Sequence, residues 1–361
     1  MRALTFHAAG DVRVEDVPEP TIEQPTDALV RVTMAAICGS DLHVLQAGEA
    51  FGFAPGTRLG HEFLGTVEAV GGEVAGFRTG DRVMASVLVA CGVCQYCREG
   101  LSSSCVARSS FGWAQRAWTA GGEVQGGQSE LVRVPLADGT LERMPSALAG
   151  AEHEPMLMPL VDVMSTAWHG LVRAGLGPGQ AAVVIGDGAV GLSAVHGAAA
   201  RDAAPVICLG HHADRLAIAE RLGATATIDS RDVEEIRERV MELTGGEGAH
   251  AVIDTISATS SMATAHACVR AGGAIATLGM EGFKGATMAV DWFDQFLRNI
   301  TITGGYVPGK RYFAELLALA EQGRIDPTPM LTTTLPLDAA ADGYRMMAER
   351  AEGVIKVALR P

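Results

Sequence analysis

The sequence predicts an α/β protein built as two domains, a barrel-like antiparallel β domain and a doubly wound parallel sheet. Three observations carry this. At 361 residues the chain is longer than one hydrophobic core normally supports. Its first third breaks into short β-type runs, ALVRVTMAAI, FLGTVEAVG, DRVMASVLVA and SELVRVP, separated by glycine and proline turns. Beyond residue 165 strand-like and helix-like segments alternate.

The alternation begins at AAVVIG (181–186), followed by helix-like GLSAVHGAAARD, PVICLG (205–210), the helix ADRLAIAERLG and TATID (225–229). A charged helix near 232–243, HAVIDTI, a further helix and GAIATLG (273–279) extend it. ITITGGY, a helix across YFAELLALAEQG and a closing VIKVAL strand complete the chain.

A net charge of −14 argues against nucleic acid or an anionic membrane as the main partner, because both select a basic face. No run of about 18 apolar residues predicts a membrane span. The N-terminal segment lacks the apolar core of a signal peptide, so a cytoplasmic protein with reduced thiols is expected.

Four of the seven cysteines fall in ACGVCQYCREGLSSSC, at Cys91, Cys94, Cys97 and Cys105. Disulfides between cysteines so close would strain the loop. Tetrahedral zinc suits four thiolates on one short loop. An iron–sulfur cluster is the competing reading, but its usual run continues with a fourth cysteine three residues on and then proline, and this loop has neither. Four protein ligands leave no open coordination position, so such a zinc organises a loop and the chemistry lies elsewhere.

Between the first strand and first helix of the wound region lies Gly186-Asp187-Gly188-Ala189-Val190-Gly191, a G-x-G-x-x-G in the strand–turn–helix setting that binds dinucleotides. Gly186 permits the tight turn, Gly188 the approach of a pyrophosphate, and Gly191 close helix–strand packing. NAD enzymes usually end the second strand in a carboxylate that binds the ribose 2′-hydroxyl. Here that strand ends in Gly210, followed by His211, His212 and Arg215. Small and basic residues make room for a 2′-phosphate and pair with it, so NADP(H) is expected ahead of NAD(H).

Three further pieces carry metal-capable residues: ICGSDLH (37–43) with Cys38, GHEFLG (60–65) with His61 and Glu62, and PLVDVMSTAWHG (159–170) with Asp162. Singly, each reads as readily as a buried thiol, a packed histidine or a helix cap. Together with the cysteine loop and the glycine turn, in this order, they resemble the zinc-dependent medium-chain dehydrogenase/reductase family of the alcohol dehydrogenase type, over essentially the whole chain.

The resemblance implies a GroES-like catalytic domain at 1–165 and 307–361 and a Rossmann domain at 166–306. It implies two zinc ions per chain, one structural in the 91–105 loop and one catalytic. Cys38, His61 and Asp162 match catalytic zinc ligands, and Glu62 matches a residue that coordinates in some states only. Asp162 is the ligand of bacterial secondary-alcohol dehydrogenases that prefer NADP, whereas the four-cysteine loop belongs to another branch. Ser40 and His43 match a proton relay. Trp113 falls where some members place a wall of the substrate pocket. Thr166, Gly279-Met280 and Gly304-Gly305 match turns near the nicotinamide, and Lys356 a basic residue that reaches the cofactor from the C-terminal segment. His169 reads as core or near-cofactor packing, and Cys208 and Cys268 as buried and inert.

The function so implied is hydride transfer between NADP(H) and a small alcohol, aldehyde or ketone. The alternatives are a polyol, threonine or formaldehyde dehydrogenase of the same fold, or a noncatalytic NADP-binding member. Edge-strand pairing through ITITGGY is expected to give a homodimer or homotetramer.

Overall fold

The computed structural model describes residues 1–113, 123–229, 231–279 and 287–361. The chain divides into two compact units. One comprises residues 1–162, 308–322 and 331–361, the other 163–307 and 323–330.

The first unit is mostly antiparallel β structure. Its larger sheet runs in the order Leu141–Arg143, Arg82–Ala85, Glu62–Val70, Ala28–Ile37, Lys356–Arg360 and Leu331–Pro336, and Leu131–Val134 also pairs with Ala28–Ile37. Alternation explains Ala28–Ile37, where Ala28, Val30, Val32 and Met34 are buried and Arg31 is exposed. Two registers shape the site. Ala36 stands opposite Glu62, which brings Cys38, just past one strand, beside His61, just before the other. Val357 stands opposite Ile37, which sets Lys356 level with Cys38. Residues more than 300 positions apart in the sequence therefore meet.

The second unit holds a parallel sheet in the order Ala226–Ile228, Val206–Leu209, Ala182–Ile185, Ala249–Asp254, Val269–Thr277 and Thr301–Gly304. In chain order this is 3-2-1-4-5-6, the doubly wound arrangement of dinucleotide-binding sheets. AVVI and VICL are buried at every residue, as expected for strands covered on both faces. Val183, Ile207, Val252 and Ile275 form the centre of its core. Among the described residues no helix is long and apolar enough to cross a membrane.

Candidate active site

Cys38 caps the helix Gly39–Ala47 in extended conformation. Its N–H donates to Asp41 Oδ2 at 3.0 Å, which closes the first turn and fixes the direction of the thiol. Asp162 lies at the break between the helices Glu154–Val161 and Val163–Arg173, with Pro159 one turn earlier. Cys38 Sγ is 3.4 Å from Asp162 Oδ2, and His61 Nε2 is 3.4 Å from the same oxygen. Ligand atoms of Cys38, His61, Glu62 and Asp162 all lie within 4.8 Å of one another.

The electrostatics of this cluster suit a cation. Burial pushes the Cys38 thiol up to about 11, reinforced by the carboxylates of Asp162 and Glu62. Burial opposes ionisation of Asp162 as well, but the His61 ring and the Lys356 charge hold its carboxyl well below the usual range. Burial disfavours charge on His61, yet Asp41 and Asp162 raise it well above its ordinary value. A thiol, an imidazole and a carboxylate this close and this dry are a donor set that zinc fits.

Lys356 is 1% exposed, and its Nζ lies 2.8 Å from Glu62 Oε1 and 2.7 Å from Oε2, on a glutamate with no exposed surface. It also donates to Ile37 O at 3.3 Å. Expected to reach the cofactor, the Lys356 ammonium is here paired with Glu62 inside the first unit.

In the cysteine loop, Sγ–Sγ distances are 3.5 Å for Cys91–Cys105, 3.9 Å for Cys94–Cys105 and 4.0 Å for Cys91–Cys97. A tetrahedron with metal–sulfur bonds of about 2.3 Å has edges of about 3.8 Å, so the four sulfurs fit zinc. All four thiols are free. Backbone N–H groups of Cys97 and Val106 lower Cys94 to about 6, while burial and Cys94 push Cys97 up to about 12. A cation is what lets all four ionise together.

In the second unit, Gly186 has φ +111°, and a Cβ on Gly191 would meet Gly186 O at 1.9 Å. Gly188 caps the helix Ala189–Ala200, whose first turn holds Ala189 and Val190. A carboxylate that the sequence pattern did not place stands at the end of the second strand. Asp187 Oδ2 accepts the N–H groups of His211 at 2.8 Å and His212 at 2.9 Å, and lies 2.9 Å from His212 Nδ1. Arg215 Nη1 is 3.9 Å from Oδ1. A Cβ on Gly210 would lie 2.6 Å from that Oδ2.

The family model described as "Alcohol dehydrogenase GroES-like domain" matches residues 24–145, and the one described as "Zinc-binding dehydrogenase" matches residues 189–322. A Mycobacterium tuberculosis protein named "Probable zinc-binding alcohol dehydrogenase" is 36% identical over all of this chain and 89% of its own length. The chain belongs to the zinc-dependent medium-chain dehydrogenase/reductase family, of the alcohol dehydrogenase type. The solved alcohol dehydrogenase TADH from Thermus sp. ATN1 superposes with a TM-score of 0.90 at 32% identity, covering 100% of this chain and 99% of that one. A Sinorhizobium meliloti 1021 protein named as a zinc-binding dehydrogenase, solved bound to NADP, gives 0.81 at 27% identity, covering 100% and 99%.

Within this dehydrogenase frame the remaining expected residues fall as follows. Ser40 and His43 are half-buried, three residues apart and so on one face of Gly39–Ala47. Trp113 is buried and edge-on to Phe53, with ring centroids 5.6 Å apart. Thr166 is half-buried in Val163–Arg173, and Gly279 N–H donates to Ser257 Oγ at 2.9 Å. Met280 lies outside the described residues. Gly304 and Gly305 have φ of +134° and +118°, and His169 is buried. Cys208 and Cys268 are fully buried, and burial pushes both thiols up to about 12. His211 sits 3.4 Å from Asp229.

Sequence reasoning missed Asp41. Its Oδ1 is 3.3 Å from His61 Nδ1 while Oδ2 takes the Cys38 N–H and the Gln128 amide at 3.3 Å. Gln128 in turn accepts from the Tyr344 hydroxyl at 2.8 Å. The signal was present in ICGSD, where an acidic residue three after the cap closes a capping box.

Proposed function

We propose that this dehydrogenase transfers hydride between NADP(H) and a small, uncharged alcohol, aldehyde or ketone. The convergence of Cys38, His61 and Asp162 beside a glutamate already engaged by Lys356 carries the reading. Cys38, His61 and Asp162 would hold the catalytic zinc, while Glu62 is engaged in an ion pair with Lys356. When bound, zinc would supply Lewis-acid polarisation of a substrate oxygen, and the nicotinamide would supply or take the hydride. Asp41 holds the imidazole of His61 in one orientation. Ser40 and His43 carry the proton between the buried oxygen and water. The glycine turn and the N-terminus of Ala189–Ala200 seat the pyrophosphate. Cys91, Cys94, Cys97 and Cys105 would hold the second, structural zinc.

NADP(H) is favoured over NAD(H) because His212 and Arg215 gather at the end of the second strand, and a structural neighbour was solved with NADP. A homo-oligomer, dimeric or made of dimers, is supported by the helix Trp292–Arg298, which precedes the edge strand Thr301–Gly304. It exposes Trp292, Phe293 and Phe296 to 70%, 69% and 65%. Light scattering on the purified protein reads this directly.

The test of function is a spectrophotometric screen with NADPH, NADP, NADH and NAD against alcohols, aldehydes, ketones and polyols, combined with metal analysis. Near two zinc per chain and turnover of small carbonyls or alcohols are expected. One zinc, with no turnover of any class, would favour a noncatalytic NADP-binding protein. His43→Ala should lower turnover and flatten its pH dependence at unchanged zinc content; an unaltered pH profile removes the relay.

A further inference from the structure

We infer that Asp187, inside the glycine turn, is the residue that sets how strongly this protein discriminates a 2′-phosphate from a 2′-hydroxyl, with its charge acting against the phosphate. This rests on reading Gly186–Gly191 as the dinucleotide turn. The second strand ends without a carboxylate in sequence, but the position is not empty of one in space. Asp187 reaches across from the neighbouring turn, and its Oδ2 takes the two backbone N–H groups that open the segment after that strand. Those N–H groups form the kind of backbone nest that binds anions. Glycine at 210 and aspartate at 187 are one arrangement: any side chain on Gly210 would start 2.6 Å from Oδ2 and 2.7 Å from the Asp187 Cβ, so a carboxylate at 210 and this one exclude each other.

The two oxygens differ. Oδ2 has three donors on it, from His211 N, His212 N and His212 Nδ1, whereas Oδ1 has Arg215 at 3.9 Å. Burial works against ionisation of Asp187, but these hydrogen bonds hold its carboxyl below the usual range, so it is charged at neutral pH. The cations expected to receive a 2′-phosphate are thus already partly compensated by an internal anion. A 2′-phosphate must share them, while a ribose hydroxyl meets a carboxylate of the kind NAD sites use.

The test measures dissociation constants of NADPH, NADH, 2′,5′-ADP and ADP for the full chain and for Asp187→Asn, by calorimetry or nucleotide fluorescence, without turnover. Asparagine keeps an oxygen for the two N–H groups and removes the charge. Removing one like charge a few ångströms from the phosphate should tighten NADPH and 2′,5′-ADP about tenfold and move NADH and ADP less than about threefold. Asp187→Ser, with an acceptor but no charge, should shift the ratio the same way. That guards against an effect peculiar to asparagine. Unchanged or weaker 2′,5′-ADP binding in both variants would overturn the inference, since the carboxylate would then serve to hold His212 and Arg215 in place. A wild type that prefers NADH removes the NADP preference, and the inference survives if the ratio still shifts in the variants. A wild type that binds none of the four removes the dinucleotide reading and the inference together.

Discussion

Lys356→Met tests the most buried charge pair among the described residues of the first unit. The Lys356 ammonium lies 2.7 Å and 2.8 Å from the two oxygens of Glu62, with 1% of the lysine and none of the glutamate exposed. Breaking such a pair by removing one partner costs about 3–5 kcal/mol, because Glu62, which burial already pushes up to about 7, is left in a dry site without its counter-ion. At roughly 2–4 °C per kcal/mol for a unit of this size, the melting temperature of chelated protein should fall by about 6–20 °C. Removing both charges, in Glu62→Leu/Lys356→Met, should recover most of that loss, since no unpaired charge remains. With zinc present the single variant should lose less: one Glu62 oxygen lies within 4.8 Å of the other donors, and the metal supplies countercharge. Urea and thermal unfolding of wild type, Lys356→Met and the double variant, with and without chelator, read these differences. A loss in the single variant below about 1 kcal/mol, the range of an exposed pair, would refute the reasoning. So would a double variant no more stable than Lys356→Met.

Three further outcomes are expected. Asp41→Asn should weaken catalytic zinc binding by about 10–100-fold in a chelator competition, while the cysteine loop keeps its ion, because Asp41 contacts His61, Cys38 and Gln128 and none of the loop cysteines. Gly191→Ala should weaken dinucleotide binding more than about tenfold in equilibrium titration, since its methyl would stand 1.9 Å from Gly186 O and force the turn apart. His196 reports on acid stability. Burial lowers its pKa, its Nδ1 lies 3.1 Å from Leu222 O, and its Nε2 accepts the Asp326 N–H at 2.8 Å, so the folded ring is neutral. The unfolded ring takes a proton first as pH falls, so its contribution is present above about 6.5 and lost below it. Wild type should therefore lose more stability between pH 7.5 and pH 5 than His196→Gln; equal losses would refute this.

Local pattern carried the fold class. Alternating and wholly apolar runs mark antiparallel and parallel strands because burial of one face or two imposes different periods on the residues. Spacing carried the cysteine loop, where all four sulfurs sit within one short segment and need no distant element to meet. The glycine turn was legible because its backbone needs are local: a positive φ at Gly186 and a close approach at Gly191.

What the sequence by itself determined about this protein is therefore the class of each domain, the residue types able to hold zinc, and the dinucleotide turn. Tertiary structure alone decided which charges face which. Lys356 meets Glu62 because the last strand lies antiparallel to Ala28–Ile37 in one particular register. Asp187 meets His212 because two parallel strands end side by side. Both pairings depend on strand order and register. These are set by the packing of the whole sheet, and neighbouring residues in the sequence do not encode them.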